Sequence, residues 1–266
     1  MSSIRIGLSC DATWLVQGKL PVEARGVDIL VFPELVDGGY AALAAGAPPH
    51  RSGDSYLERF RKLTNQQMPA CIAGSVLTED RSGRHTNTCH VFFRGRLLHR
   101  FAKMHLFRPG GDHRYFAPGR RIATFAFQFH RMKLRAGGIV CFDLRFPEMV
   151  RALARRGIQV LFVPARWPAA RDQAWRTLLK ARAIENQIFV VGCNATGDEG
   201  GFSYAFDPFG AEIFSSRGKR RRAVQLFDID LSRTMEARRH HWNIREAVLL
   251  RESTIPMVLR GSRSPR

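Results

Sequence analysis

The chain has 266 residues, 45% of them hydrophobic, with 23 glycines and 13 prolines, enough apolar material for a sizeable buried core. Lys and Arg together number 42 against 23 Asp and Glu, a formal net charge of +19, and the five cysteines are scattered without any C-x-x-C pair. These figures argue against a disulfide framework and a cysteine-rich zinc site, and the lack of an 18-residue apolar run argues against a membrane span.

From the start, Met1–Cys10 is too short and too polar for a signal peptide and reads as a first strand, Ile4–Ser9, so the chain is expected in the cytosol. The stretch Trp14–Arg25 leaves room for about two turns of helix. A buried strand, Ile29–Phe32, then runs through Pro33 into Glu34. A helix over Tyr56–Gln67 is followed by strands Cys71–Leu77, Thr88–Phe93 and Leu97–Phe101, the last leading into Lys103 within Phe101-Ala-Lys-Met-His-Leu-Phe107. Strands Ile122–Phe127 and Leu134–Val140 come next, and the second delivers Cys141 to the point where the chain turns toward a helix, Pro147–Arg156.

Strand Val160–Val163 precedes a helix over Asp172–Asn186, where Trp175, Leu178, Leu179, Arg182 and Ala183 recur at three- and four-residue steps. Asp172 suits its first turn, where the helix dipole favours a negative charge. Strands Ile188–Cys193, Tyr204–Asp207, Ala211–Phe214 and Ala223–Ile229 complete the pattern. The order gives two similar halves, each a sheet covered by helices on one face. Stacked sheet to sheet, they predict an α/β fold of four layers, an αββα sandwich. Residues 1–260 read as one domain, and the basic tail 261–266 is expected to be disordered. The run Arg217-Gly-Lys-Arg-Arg-Arg222 reads as an exposed hairpin turn between its flanking strands. Aromatic residues are not interleaved with it, so a solvated basic surface is favoured over a nucleic-acid or other acidic partner.

Glu34, Lys103 and Cys141 each stand at the end of a hydrophobic segment, where α/β proteins present reactive groups. Together they are the parts for nucleophilic attack on an amide carbon. Cys141 supplies the thiol, Glu34 the base, and Lys103 a fixed cation beside the developing oxyanion, with the backbone N–H of Phe142 as a second oxyanion donor. A nearby ammonium lowers a cysteine's pKa and a carboxylate raises it, so the trio tunes proton transfer. No G-x-S-x-G elbow, Walker loop, H-E-x-x-H or dinucleotide-binding glycine pattern is present. The adjacent His240 and His241 would point about 100° apart on a helix, which disfavours a shared metal ion.

The segments Phe-Pro-Glu34, Ala-Lys103-Met-His-Leu-Phe and Val-Cys141-Phe-Asp-Leu-Arg-Phe-Pro-Glu resemble the Glu-Lys-Cys centre of the nitrilase superfamily of carbon–nitrogen hydrolases. The pieces Arg166-Trp-Pro-Ala-Ala-Arg, Trp175–Gln187 and Asp207-Pro-Phe-Gly210 extend the resemblance, which is greatest to the ω-amidase branch acting on 2-oxo acid ω-amides such as 2-oxoglutaramate. The resemblance implies a thioester acyl-enzyme, no cofactor or metal, and a homodimer or higher homo-oligomer. It also implies a second carboxylate in the loop after the lysine. Asp112 stands there in place of the usual glutamate, shorter in reach by roughly one C–C bond, about 1.5 Å. A misplacement of about 1 Å is enough to cost on the order of 100-fold in rate.

Tyr40, Arg166 and Trp167 are the candidate substrate-binding residues. For Arg166, where related ω-amidases carry a small polar residue, two readings stand open: a clamp on a substrate carboxylate, or an ion pair within the rim. Tyr40 either lines the pocket or packs in the core. Arg145, Glu148, Arg182 and Glu185 read as framework, and His113 as a loop residue. The alternatives to an ω-amidase are an N-carbamoyl or aliphatic amide hydrolase, and a weakly active protein of this fold binding an acidic partner.

Overall fold

The structure, a computed structural model, describes residues 3–17, 20–45, 49–66, 69–129, 132–220, 222–240 and 244. The strands are β1 (Ser3–Leu8), β2 (Ile29–Val31), β3 (Cys71–Glu79), β4 (His85–Phe93), β5 (Arg96–Ala102) and β6 (Thr124–Phe129). They continue with β7 (Met132–Gly138), β8 (Val160–Ala165), β9 (Phe189–Asn194), β10 (Tyr204–Phe206), β11 (Glu212–Ser215) and β12 (Gln225–Asp230). The helices are α1 (Thr13–Gln17), α2 (Gly39–Ala44), α3 (Pro49–Asn65), α4 (Asp112–Tyr115), α5 (Pro147–Arg155), α6 (Asp172–Asn186) and α7 (Ser232–His240). Two six-stranded sheets run in the orders β12-β1-β2-β3-β4-β5 and β11-β10-β9-β8-β7-β6. Each has a parallel centre, β1-β2-β3 in one and β7-β8-β9 in the other, extended by antiparallel strands.

Side-chain alternation along the strands builds the layers. In β2 and β3, Ile29, Val31, Cys71 and Ala73 enter the core between the sheets. Leu30 and Ile72 point the other way, joining Trp14 and Phe60 beneath α1 and α3. On the far side, Val150 and Leu153 of α5 and Trp175, Leu179 and Ala183 of α6 pack onto the second sheet. The predicted αββα sandwich is therefore present.

Local differences have local causes. The Trp14–Arg25 segment carries its short helical content as α1 and a single turn at Val22–Ala24. The helix expected at Tyr56–Gln67 begins earlier, at Pro49, because a polar stretch carries no periodic signal of its own. The strand before Cys141 ends at Gly138, since the chain must turn there to start the next turn of helix. The basic run 217–222 is not a hairpin turn: β11 is the edge of one sheet and β12 the edge of the other, so the run carries the chain across the sandwich. β12 pairs antiparallel with β1, more than 200 residues away in sequence, a partner that local reading does not reveal. The tail 261–266 and His241 lie outside the described residues.

Candidate active site

The ends of β2, β5, β7 and β8 open at the same edge of the sandwich and carry Glu34, Lys103, Cys141 and Arg166. Cys141 opens a short helical turn, Cys141–Arg145, with φ +49°, a left-handed value uncommon for a residue with a Cβ. Such conformations persist only when their surroundings over-determine them. Here Asp143 does so: its carboxylate accepts the N–H groups of Val140 at 3.1 Å and His105 at 2.8 Å, and lies 2.9 Å from His105 Nδ1. The cysteine loop and the lysine loop are thereby tied to one side chain. Arg182 of α6 adds a second brace, donating from Nε and Nη2 to the Leu144 carbonyl at 3.1 and 2.9 Å.

Glu34 is fully buried, and its carboxylate is saturated with donors. Oε1 accepts Lys103 Nζ at 2.8 Å, Asn87 Nδ2 at 2.7 Å and Tyr40 Oη–H at 3.1 Å. Oε2 accepts the Arg166 backbone N–H at 3.0 Å, and the same carboxylate is a hydrogen-bond partner of the Cys141 thiol. The Lys103 ammonium is equally enclosed, donating also to Asp112 Oδ2 at 2.7 Å and to Tyr40 Oη at 3.3 Å. Burial opposes the Lys103 charge, but Glu34, Cys141 and Asp112 outweigh it and hold its pKa above the ordinary lysine value. Tyr40 is a neutral phenol, its pKa raised by burial and by the charges of Glu34 and Asp112. Burial first, then the Glu34 carboxylate, push the Cys141 thiol well above the usual cysteine value against the pull of Lys103. At rest the proton therefore stays on sulfur, beside the carboxylate able to receive it.

Asp112 begins α4, directly after Gly111 at φ +84°. Besides Lys103, its Oδ2 accepts the Phe107 N–H at 2.9 Å, while the buried Oδ1 has no protein partner. The shorter carboxylate reaches the ammonium directly, at 2.7 Å. Phe142 follows Cys141 in the turn, a position whose N–H lacks an intrahelical acceptor. It lines, with Tyr40, Lys103, Asp112, Cys141 and Trp167, a cavity of about 340 Å³.

Arg166 takes a course that neither clamp nor simple rim pairing describes fully. Its Nε donates to the Glu34 carbonyl at 2.8 Å, Nη2 to the Leu35 carbonyl at 2.9 Å, and Nη1 to Glu199 Oε2 at 3.0 Å. The same Glu199 oxygen accepts the Tyr40 N–H at 3.1 Å. Arg166 thus fastens the loop that carries Glu34 to the loop that carries Glu199. Trp167 is held on both sides by Asn194, whose Oδ1 accepts its N–H and whose Nδ2 donates to its carbonyl, each at 2.8 Å.

Other residues at the site are not evident from sequence reasoning. Asn87 is visible only as a polar residue in an otherwise strand-like run. Arg145 and Arg171 line the cavity mouth, their guanidinium groups 5.1 Å over the rings of Trp167 and Phe107 respectively. Asp198 and Glu199 complete the mouth from a glycine-rich loop. Among the described residues no cluster of His, Cys, Asp and Glu is arranged to hold a metal ion, and no helix is long and apolar enough to cross a membrane.

An αββα sandwich with a buried carboxylate, ammonium and thiol converging at its strand ends defines a hydrolase of the nitrilase class. The chain belongs to the carbon–nitrogen hydrolase family, whose model matches residues 12–239. It is 32% identical over 222 residues to a 2-oxoglutaramate amidase of Bacillus subtilis, a match covering 81% of this chain and 83% of the relative. It is 34% identical to the omega-amidase YafV of Escherichia coli K12, over 81% of each chain. The crystal structure of a CN-hydrolase superfamily protein from Xanthomonas campestris, with an arsenic adduct in its active site, matches with a TM-score of 0.79. That match has 26% identity and covers 94% of this chain and 99% of the other.

Proposed function

We propose that the protein is a cysteine-dependent amidase that hydrolyses the ω-amide of a short 2-oxo dicarboxylic acid, 2-oxoglutaramate or 2-oxosuccinamate, releasing ammonia. The observation that carries this reading is the contact of one buried carboxylate, Glu34, with both the Cys141 thiol and the Lys103 ammonium. As sulfur attacks the amide carbon, the Glu34 carboxylate takes the thiol proton, so no separate thiolate has to be stored. The tetrahedral oxyanion is met by Lys103 and the Phe142 N–H. Glu34 then returns the proton to the departing nitrogen, while the unpartnered Asp112 Oδ1 accepts one of its N–H groups. Ammonia leaves a thioester on Cys141. Water, deprotonated by Glu34, attacks that thioester and releases the carboxylic acid and the thiol.

The substrate class draws support from the relatives, named as a 2-oxoglutaramate amidase and an omega-amidase, and from the mouth of the cavity. Arg166 has its guanidinium committed to two carbonyls and Glu199, which leaves Arg145 and Arg171, stacked on aromatic rings, as the cations for the substrate carboxylate. The reading includes one working domain, cytosolic location and a homodimer or higher homo-oligomer. The test is ammonia release from 2-oxoglutaramate, 2-oxosuccinamate, glutamine, N-carbamoyl amines and aliphatic amides. Turnover of the 2-oxo acid amides, abolished by Cys141→Ala and shifted to at least tenfold higher KM by Arg171→Ala, is expected. Turnover restricted to N-carbamoyl or aliphatic amides would replace the substrate class and keep the mechanism.

A further inference from the structure

Two cysteines outside the active site meet across the sandwich. Cys10 follows β1 in the first sheet, and Cys193 lies in β9 of the second. The Val31 carbonyl accepts both the Ser9 N–H, at 3.0 Å, and the Cys193 thiol, at 3.3 Å, which sets Cys193 against the residue preceding Cys10. Cys10 Sγ lies 3.2 Å from Ser203 Oγ, and that hydroxyl accepts the N–H of Asn194, the neighbour of Cys193, at 2.9 Å. The two thiols are therefore held together from both sides, and burial together with the adjoining Cys10 thiol raises the pKa of Cys193. Both are in the thiol form.

Their surroundings differ. Cys193 is fully buried, whereas Cys10 is half-buried and lines a cleft of about 530 Å³. Glycines 197, 200, 201 and 218 keep the walls of this cleft low, and Lys219 and Arg222 outnumber the one carboxylate lining it, Asp11, so its net charge is positive. This is a shape and charge suited to a small anionic thiol compound entering as far as Cys10.

We propose that Cys10 and Cys193 form a disulfide modification site, oxidised by a small anionic disulfide that reaches Cys10 through this cleft. In the first step the Cys10 thiolate attacks one sulfur of the incoming disulfide, forming a mixed disulfide and expelling one thiol. Cys193 then attacks the Cys10 sulfur, loses its proton and expels the second thiol. Two protein thiols become one disulfide as one external disulfide is reduced to two thiols. The product links the first sheet to the second. Asn194, beside Cys193, holds Trp167, so the link lies directly behind the wall of the catalytic cavity.

The experiment uses full-length protein with Cys141→Ala, which removes the active-site thiol from the reaction and requires no turnover. The protein is incubated with oxidised glutathione and its peptides are mapped by mass spectrometry without reduction. The expected product has lost two hydrogens, retains no glutathione and yields a linked peptide pair containing Cys10 and Cys193. Adding Cys193→Ala is expected to halt the reaction at a stable glutathione adduct on Cys10, and adding Cys10→Ser to leave Cys193 unmodified. A persistent adduct on Cys10 with Cys193 intact, or both thiols unmodified while the protein is folded, overturns the proposal.

Discussion

Lys103 is the residue on which the site's electrostatics turn. It lies between two carboxylates, Glu34 at 2.8 Å and Asp112 at 2.7 Å, and all three side chains are buried. Lys103→Met leaves both carboxylates buried without a counter-charge. The expected cost is about 3–5 kcal/mol in a urea unfolding titration, together with loss of turnover. A variant as stable as the parent would show that the carboxylates are neutralised by other means. Asp112→Asn preserves shape but removes a charge and changes what the unpartnered oxygen position offers a substrate nitrogen. Turnover is expected to fall on the order of 100- to 1000-fold with KM within a few-fold of the parent, measured by steady-state ammonia release.

Between elements, the decisive contact is the meeting of the Glu34 loop with the ends of β8 and β9. Gly39 has φ +70°, and a Cβ there would come within 2.5 Å of Arg166 Cζ and 2.6 Å of Glu199 Oε2. Gly39→Ala is therefore expected to push the ion pair apart, lowering the unfolding free energy by about 1–3 kcal/mol. It should also lower kcat, because Arg166 contacts both the carbonyl and the carboxylate of Glu34. Unchanged kcat in that variant would show that the brace does not set the base's position. Reading the sequence locates Arg166 at a strand end beside the site but leaves its role open, because its partners, Glu34 and Glu199, are distant in the chain. Glu34, Lys103 and Cys141 were legible for the opposite reason: each is flanked by its own hydrophobic strand, so its place at a strand end follows from local pattern alone. Asn87 had no such signal, since a buried polar residue declares itself only when its acceptor is known.

For the whole molecule, stability against pH depends on a carboxyl group near the site that catalysis does not use. Asp37 is pushed up to about 6, chiefly by burial, although it accepts the Leu77 N–H at 3.0 Å. Its folded value lies above the unfolded one, so the native state binds the proton more tightly, and stability falls as pH rises from about 4 through 6. Asp37→Asn keeps an acceptor for Leu77 and is expected to gain about 1–3 kcal/mol at pH 7.5, with little gain at pH 4.5. Urea titrations at both values check this, and an equal effect at the two would discount the ionised carboxylate as the cause. The large positive charge has a place at this scale as well. Arg81, Arg84, Arg100, Arg120 and Arg121 line an open groove of about 760 Å³ away from the catalytic cavity. At the sheet edge, exposed Arg96 and Arg100 on β5 discourage pairing with a further strand.

The sequence by itself determined the layers and the reactive groups, because hydrophobic period, strand ends and turn chemistry are local properties written in neighbouring residues. It placed a thiol, a carboxylate and an ammonium at strand ends. It also specified two helix-covered sheets. Only the tertiary structure decided which of those ends meet. It seated β12 beside β1, and it turned the basic run 217–222 into a crossing between sheets. It drew Asp112 up to Lys103, and committed Arg166 to a brace between loops. It also set Cys10 beside Cys193. Each of these depends on contacts between residues far apart in the chain, and such contacts are fixed by packing two sheets face to face.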